Sequence, residues 1–208
     1  MFKGKFGGLK LAIKKWLLLF GYELIRDKEG NNKLKKIYSS KPAVQFMKDY
    51  NKKDNLIVAE VGVWKGDTTK HIIKILPIKK IYAIDSWTTF DSGEHDIRTM
   101  NNAEKIARKR LDKYKDKVVI IKKDSKEAVK DIKEKLDFIY IDADHDYEPV
   151  KKDIELYYKL LHKGGVLSGD DIQNRKIPNG VGKALAEFAV KNNLDFFIEG
   201  NNWWIIKK

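Results

Sequence analysis

Five short apolar runs recur along the chain, and each carries a polar or acidic residue at or next to its end. They are residues 55–61 (NLIVAEV), 80–85 (KIYAID), 117–124 (KVVIIKKD), 137–142 (DFIYID) and 164–170 (GGVLSGD). Helical patterns fill the intervals: GDTTKHIIKIL, residues 103–114, SKEAVKDIKEK and EPVKKDIELYYKLLHK, with VGKALAEFAVKNN after the fifth run. Strands that alternate with helices predict a parallel α/β sheet with helices on both faces. The last stretch, LDFFIEGNNWWIIKK, predicts two more strands around Gly200, Asn201 and Asn202, an antiparallel hairpin that brings the sheet to seven strands.

Residues 54–208 make up this domain, and residues 1–53 are read as a helical appendage. Leu9, Ile13, Trp16, Leu17, Phe20 and Leu24 recur at helical spacing. They predict an amphipathic helix that packs on the domain, on a second subunit of a homo-oligomer, or on a membrane surface. The stretch is too short and too often interrupted by charge to span a bilayer. DKEGNNKLKK reads as a loop and residues 42–50 as a second helix.

The chain has no cysteine, which excludes disulfides and thiolate metal sites and fits a cytoplasmic protein, with the amphipathic helix allowing peripheral contact with the inner face of a membrane. The net charge of +13 is compatible with an anionic partner such as nucleic acid or a lipid headgroup. Nearly all of the basic residues are lysines, however, and only Arg26, Arg98, Arg108, Arg110 and Arg175 offer the fork that nucleic-acid readers favour. A lysine-rich solvated surface is the simpler reading.

In an open α/β sheet, ligands sit beyond the carboxyl ends of the strands. Residues 60–68, 85–87, 124–125, 142–146 and 169–171 occupy that edge. In AEVGVWKGDT, Trp64 stands where a dinucleotide fingerprint has its second glycine, and no Gly-Lys-Ser/Thr follows, so the turn suits a ligand without a phosphate to cradle. Asp85 closes the second strand, where an acid accepts ribose hydroxyls. A nucleoside held without a phosphate cradle points to S-adenosylmethionine.

VAEVGVWKGDTT, IYAIDSW, KKDS and LDFIYIDADHDYEPVKKDIELYYKLLHKGGVLSGDDI together resemble the class I S-adenosylmethionine-dependent methyltransferases. Among these the chain is most similar to the metal-dependent small-molecule O-methyltransferases of the catechol and caffeoyl-CoA type and to the macrocin O-methyltransferase-like bacterial group. The resemblance covers about residues 55–208 and implies a Rossmann-like sheet. It implies that Glu60, Gly62, Trp64 and Gly66 shape the cofactor turn, and that Thr68 meets the methionine carboxylate. Asp85 is then the ribose ligand, Trp87 lies near the adenine, and Asp124 and Ser125 meet its edge, with Asp142 also beside the cofactor.

It further implies a divalent ion, magnesium or similar, on Asp142, Asp170 and Asp171, with aspartate where the catechol and caffeoyl-type enzymes have asparagine. The segment Asp142-Ala143-Asp144-His145 matches a motif that ends in lysine in those enzymes, so His145 becomes the expected catalytic base beside Asp142. The expected reaction moves a methyl group to a hydroxyl of a small molecule, sugar or glycan. No Asn/Asp-Pro-Pro-Tyr follows the fourth strand, which argues against a nucleobase amine. Two rival expectations remain: an RNA-binding or RNA-modifying methyltransferase that uses the basic surface, and a non-catalytic cofactor-binding or assembly protein.

Overall fold

The computed structural model describes residues 22–26, 32–36, 41–88, 96–173 and 180–208. Within them the chain runs through β1 (Tyr22–Arg26), β2 (Asn32–Lys36), α1 (Lys41–Tyr50), β3 (Leu56–Val61), α2 (Asp67–Ile75), β4 (Ile78–Ile84) and α3 (Ile97–Leu111). It continues with β5 (Val118–Ile121), α4 (Ser125–Ala128), β6 (Leu136–Ile141), α5 (Tyr147–Tyr158), β7 (Leu161–Gly169), α6 (Gly180–Lys191), β8 (Phe196–Glu199) and β9 (Asn202–Ile206).

Seven strands form one sheet in the order β5-β4-β3-β6-β7-β9-β8. The pairs β3–β4, β4–β5, β3–β6 and β6–β7 are parallel, and β9 runs antiparallel to both β7 and β8. The fold is the Rossmann-like α/β sheet with a C-terminal antiparallel hairpin that the strand pattern predicts. The order reverses between β3 and β6. The chain steps outward from β3 to β4 and β5, then returns to the other side of β3. That reversal opens a crevice at the carboxyl ends of β3, β4 and β6.

Strand alternation sorts the core into two faces. Ala59, Val61, Ile139, Ile141, Leu167 and Ile205 pack against Val150, Ile154 and Tyr157 of α5 and Val181, Ala184 and Leu185 of α6. Val58, Phe138, Tyr140, Val166 and Trp204 pack against Ala43, Val44 and Met47 of α1 and Ile72 of α2. Asp137, the second residue of β6, is buried at the opposite edge of the sheet. Burial raises its carboxyl, but the Ile57 N–H, Lys53 and His162 win and hold it below the usual range.

The N-terminal expectations are corrected in part. Most of the amphipathic helix lies outside the described residues, but Leu24, its last member, is in strand β1. The loop expected over residues 27–36 contains β2, which pairs antiparallel with β1 in a separate two-stranded sheet. The register sets Leu24 opposite Leu34 and Glu23 opposite Lys35, a hairpin pairing that overrides the helical spacing. Three boundaries also move. The helix expected over residues 125–135 is only α4, followed by a 3-10 turn at Val129–Asp131. Helix α3 begins at Ile97, not at Ala103, because the Asp96 side chain caps it by accepting the Thr99 N–H at 2.7 Å. Helix α5 ends at Tyr158, and β7 already begins at Leu161. No helix among the described residues is long and apolar enough to cross a membrane.

Candidate active site

The turn after β3 must pass close to the end of β6. At Gly62, φ is +94°, and a Cβ there would lie 2.0 Å from the Asp142 carbonyl oxygen and 2.6 Å from the Ala143 nitrogen. Only glycine fits, on both counts. Asp85, one residue past β4, then fixes the turn. Its Oδ2 accepts the Val63 and Trp64 N–H groups at 3.0 and 2.8 Å, and its Oδ1 accepts the Trp87 N–H at 2.7 Å.

Trp64 and Trp87 both sit at positive φ, 50° and 47°, a conformation costing about 1–2 kcal/mol per residue without glycine. The charge-assisted amide bonds to Asp85 offset that cost, and the Trp87 indole N–H adds a bond to the Trp64 carbonyl at 2.9 Å. Burial pushes the Asp85 carboxyl up, while the three amides pull it the other way.

A cavity of about 300 Å³ opens at the strand-order reversal. Gly62, Asp85, Ser86, Thr88, Asp124, Ser125, Ala143 and Asp153 are among the residues that line it. Of the residues predicted for cofactor binding, Gly62, Asp85, Asp124 and Ser125 therefore converge. Trp64, Gly66 and Thr68 do not line this cavity. Gly66 caps α2 in the left-handed conformation. Trp87 is buried with Val63, Ala103, Ala107 and Leu111 and supports the turn from behind, so Ser86 and Thr88 take the lining positions on either side of it.

Glu60 lies beneath the turn, fully buried. Its Oε2 accepts the Thr69 hydroxyl, while its Oε1 has no hydrogen-bond partner among the described residues. Burial lifts its carboxyl from the ordinary 4.5 to about 8. The folded state thus holds a proton that the unfolded state releases between those values, and stability falls as pH rises through that window. Glu60→Gln keeps the shape and removes the ionisation. The melting temperature of the variant relative to the parent should therefore climb between pH 5 and pH 8. A difference that stays flat with pH would mean that Glu60 is not held neutral.

Sequence reasoning missed Asp153. It is an acid on the buried stripe of α5, beside Val150, Ile154 and Tyr157, and that position on an apolar face was the available signal. Its Oδ1 accepts the Ser125 hydroxyl at 2.6 Å, and Tyr157 donates to the Ser125 carbonyl at 2.9 Å. Burial pushes the Asp153 carboxyl up to about 6. Asp124 caps α4 by accepting the Lys126 N–H. Ser125 is thus held from two directions at the rim of the cavity.

Next to this cavity, ligand atoms of Asp142, His145 and Asp171 lie within 4.8 Å of one another. His145 Nε2 is 2.7 Å from Asp171 Oδ2. Burial raises the Asp142 carboxyl well above its usual range, and the neighbouring acids, Asp170 and Asp171 before Glu60, add to the rise. For Asp171, burial works upward too, but His145 and Asn201 prevail and hold it low. Asp170, expected as a third carboxylate ligand, is not one of the three that converge. Its Oδ1 accepts the Asn202 side-chain amide at 3.1 Å and the Asp171 N–H at 2.9 Å. Asp144 lines both the main cavity and a small void that Asp142, His145 and Asp170 share, so the two regions adjoin.

The crystal structure of an O-methyltransferase from Bacillus cereus in complex with SAH superposes with a TM-score of 0.58 at 15% identity, covering 100% of this chain and 94% of that one. An rRNA methylase from Streptococcus thermophilus gives a TM-score of 0.58 at 14% identity, covering 82% of this chain and 98% of that one. At these identities the likeness is one of fold. An uncharacterized protein of Acanthamoeba polyphaga mimivirus is 31% identical over 127 residues, 59% of this chain, and the match spans 54% of that relative's length. A family model described as a methyltransferase domain matches residues 59–172, which include the glycine turn, the Asp85 clamp and the acid–histidine cluster. With more than half of its length inside that match, and with the strand-order reversal cavity built from it, the chain belongs to the methyltransferase domain family.

Proposed function

We propose that this chain is an S-adenosylmethionine-dependent methyltransferase that methylates a hydroxyl of a small molecule, sugar or glycan. The observation that carries the reading is the adjacency of two features. An acid-lined cavity sits at the strand-order reversal, and the Asp142–His145–Asp171 cluster adjoins it. S-adenosylmethionine, when bound, supplies an activated methyl group on a sulfonium centre. Asp85 uses three of its roughly four lone-pair sites on the turn, which leaves acceptor capacity for a ribose hydroxyl. Asp124, Ser125 and Asp153 also line the cavity, and in this reading they meet the adenine edge.

The donor set of the cluster fits a divalent cation. Two carboxylates and an imidazole converge, and like charges around Asp142 are relieved by a cation between them. Asp142, His145 and Asp171 would hold it, and it would supply Lewis-acid polarisation of the acceptor hydroxyl. The imidazole moves the set away from the all-oxygen shell that magnesium favours and toward manganese, iron or zinc. A second reading has its own observation. The 2.7 Å contact between His145 and Asp171 is also the arrangement of a histidine base oriented by a carboxylate. In that case His145 takes the hydroxyl proton and Asp171 balances the charge that builds on the ring.

Calorimetry with SAH tests the cofactor reading. Asp85→Ala should weaken binding by roughly 10- to 150-fold, the equivalent of about 1.5–3 kcal/mol for hydrogen bonds to a charged group. Circular dichroism of the same sample checks that the variant is folded. A folded Asp85→Ala protein with undiminished affinity would remove Asp85 from the cofactor site, and a parent protein that ignores SAH would end the reading. A screen of hydroxyl compounds with the labelled methyl donor then identifies the acceptor class.

A further inference from the structure

The β8–β9 hairpin carries two consecutive asparagines at its turn, and each grips one of the two consecutive aspartates after β7. Asn201 Nδ2 donates to Asp171 Oδ1 at 2.9 Å, and Asn202 Nδ2 donates to Asp170 Oδ1 at 3.1 Å. We infer that Asn201 and Asn202 are positioning residues that set the aim of this acid pair. The inference rests on reading the acid–histidine cluster as the place where a cation and the acceptor hydroxyl meet.

Asp171 sits at φ 60°, in the left-handed region that a residue with a Cβ avoids. Such a conformation persists where the surroundings over-determine it. Asn201 supplies three of those determinants. Its carbonyl accepts the Ile172 N–H at 3.2 Å, its Oδ1 accepts the Gln173 N–H at 3.0 Å, and its side-chain amide holds the Asp171 carboxylate. With Oδ1 engaged by an N–H, the amide has its NH2 group directed at the carboxylate. Asp171 Oδ1 is thereby engaged by the hairpin while Oδ2 faces His145 at 2.7 Å.

Asn202 is fully buried and does the same for the neighbouring acid. Besides Asp170, its Nδ2 reaches the Tyr140 hydroxyl at 3.2 Å, and its Oδ1 accepts the Ala43 N–H in the first turn of α1, also at 3.2 Å. One amide thus joins α1, β6 and the acid pair. The Trp203 indole N–H adds a bond to the Asp170 carbonyl at 3.2 Å. The hairpin is therefore more than a closing edge of the sheet. Its first three residues after Gly200 each bond to the Asp170–Asp171 segment.

The test uses the full chain and two variants, Asn201→Ala and Asn202→Ala, with Mn²⁺ alone and SAH alone as titrants in calorimetry. Asn201 is the cleaner probe because it is only partly buried, whereas Asn202→Ala leaves buried partners unsatisfied and lowers the melting temperature. Asn201→Ala should raise the Mn²⁺ dissociation constant roughly 10- to 100-fold, the usual cost of losing a partner of a metal-binding side chain. SAH affinity should stay close to the parent value, because the cofactor cavity is lined by other residues, and the melting temperature should fall only by the modest amount that two lost side-chain hydrogen bonds cost. Unchanged Mn²⁺ affinity would overturn the inference. So would a parallel loss of Mn²⁺ affinity, SAH affinity and melting temperature, which marks a merely structural role. If the parent protein takes up no Mn²⁺, the cation reading fails, and the positioning role is judged on the metal-free protein by the ¹⁵N shift of His145 Nε2 at fixed pH. A shift that moves in Asn201→Ala supports the clamp, and one that does not move refutes it.

Discussion

A Gly62→Ala variant is expected to fail to give a stably folded protein, with a loss of about 4 kcal/mol or more, the range reserved for a small set of severe mechanisms. Two penalties coincide at this position. The backbone sits at φ +94°, and the new methyl would lie 2.0 Å from the Asp142 carbonyl oxygen and 2.3 Å from its carbonyl carbon. Those atoms belong to backbone at the end of β6, which is held by the Asp142 N–H bond to the Val61 carbonyl at 2.7 Å and cannot swing aside as a side-chain tip would. Relief requires β3 and β6 to separate at the edge where the cavity forms.

Gly200→Ala serves as the control. It also has positive φ, 60°, but nothing lies within 4 Å of the added Cβ. It should therefore lose only about 1–2 kcal/mol, the cost of the backbone conformation alone. Soluble yield, thermal melting and SAH titration of the two variants separate the contributions. A Gly62→Ala protein that melts and binds SAH like the parent would mean that the turn does not pass as close to β6 as the geometry requires.

The parts of this molecule that were legible in sequence share one property: they follow from local pattern plus the geometry of a parallel sheet. Strands that all point the same way deliver their terminal residues to one edge, so Asp85, Asp124, Asp142 and Asp170 could be placed together before any distance was known. Gly62 was legible because a glycine directly after a buried strand marks a tight turn. What was not legible depended on pairings between distant segments. Nothing local in EGNNWW says that Asn201 and Asn202 will meet Asp171 and Asp170, some thirty residues earlier. The Trp87 side chain is adjacent to Asp85 in sequence yet turns into the α3 core, because its positive φ redirects it. Leu24 fits a helical stripe and nevertheless lies in a strand, since its pairing with Leu34 outweighs a spacing that any short segment can match by chance.

Replacing His145 by Ala is expected to cut turnover by roughly 10²- to 10⁴-fold, the range for loss of a positioned acid–base group. SAH affinity should be nearly unchanged, because His145 is not among the residues lining the cavity proposed for the cofactor. The expectation follows from the cluster itself. His145 Nε2 stands 2.7 Å from Asp171 Oδ2, and its ligand atom converges with those of Asp142 and Asp171 within 4.8 Å. A carboxylate raised as far as Asp142 is a poor neighbour for Asp170, Asp171 and Glu60 unless a proton or a cation sits among them.

The chelator arm of the experiment decides which role the imidazole plays. Turnover that vanishes in chelator and returns with Mn²⁺, together with a loss of Mn²⁺ affinity in His145→Ala, makes His145 a ligand. In that case the affinity for Mn²⁺ should weaken on acidification, because burial and the neighbouring acids raise the Asp142 carboxyl and protons compete with the cation for it. Turnover that survives the chelator but is lost in His145→Ala makes the histidine, oriented by Asp171, the group that receives the hydroxyl proton. A His145→Ala enzyme of near-normal rate would sink both roles and leave alignment of donor and acceptor in the cavity as the source of catalysis.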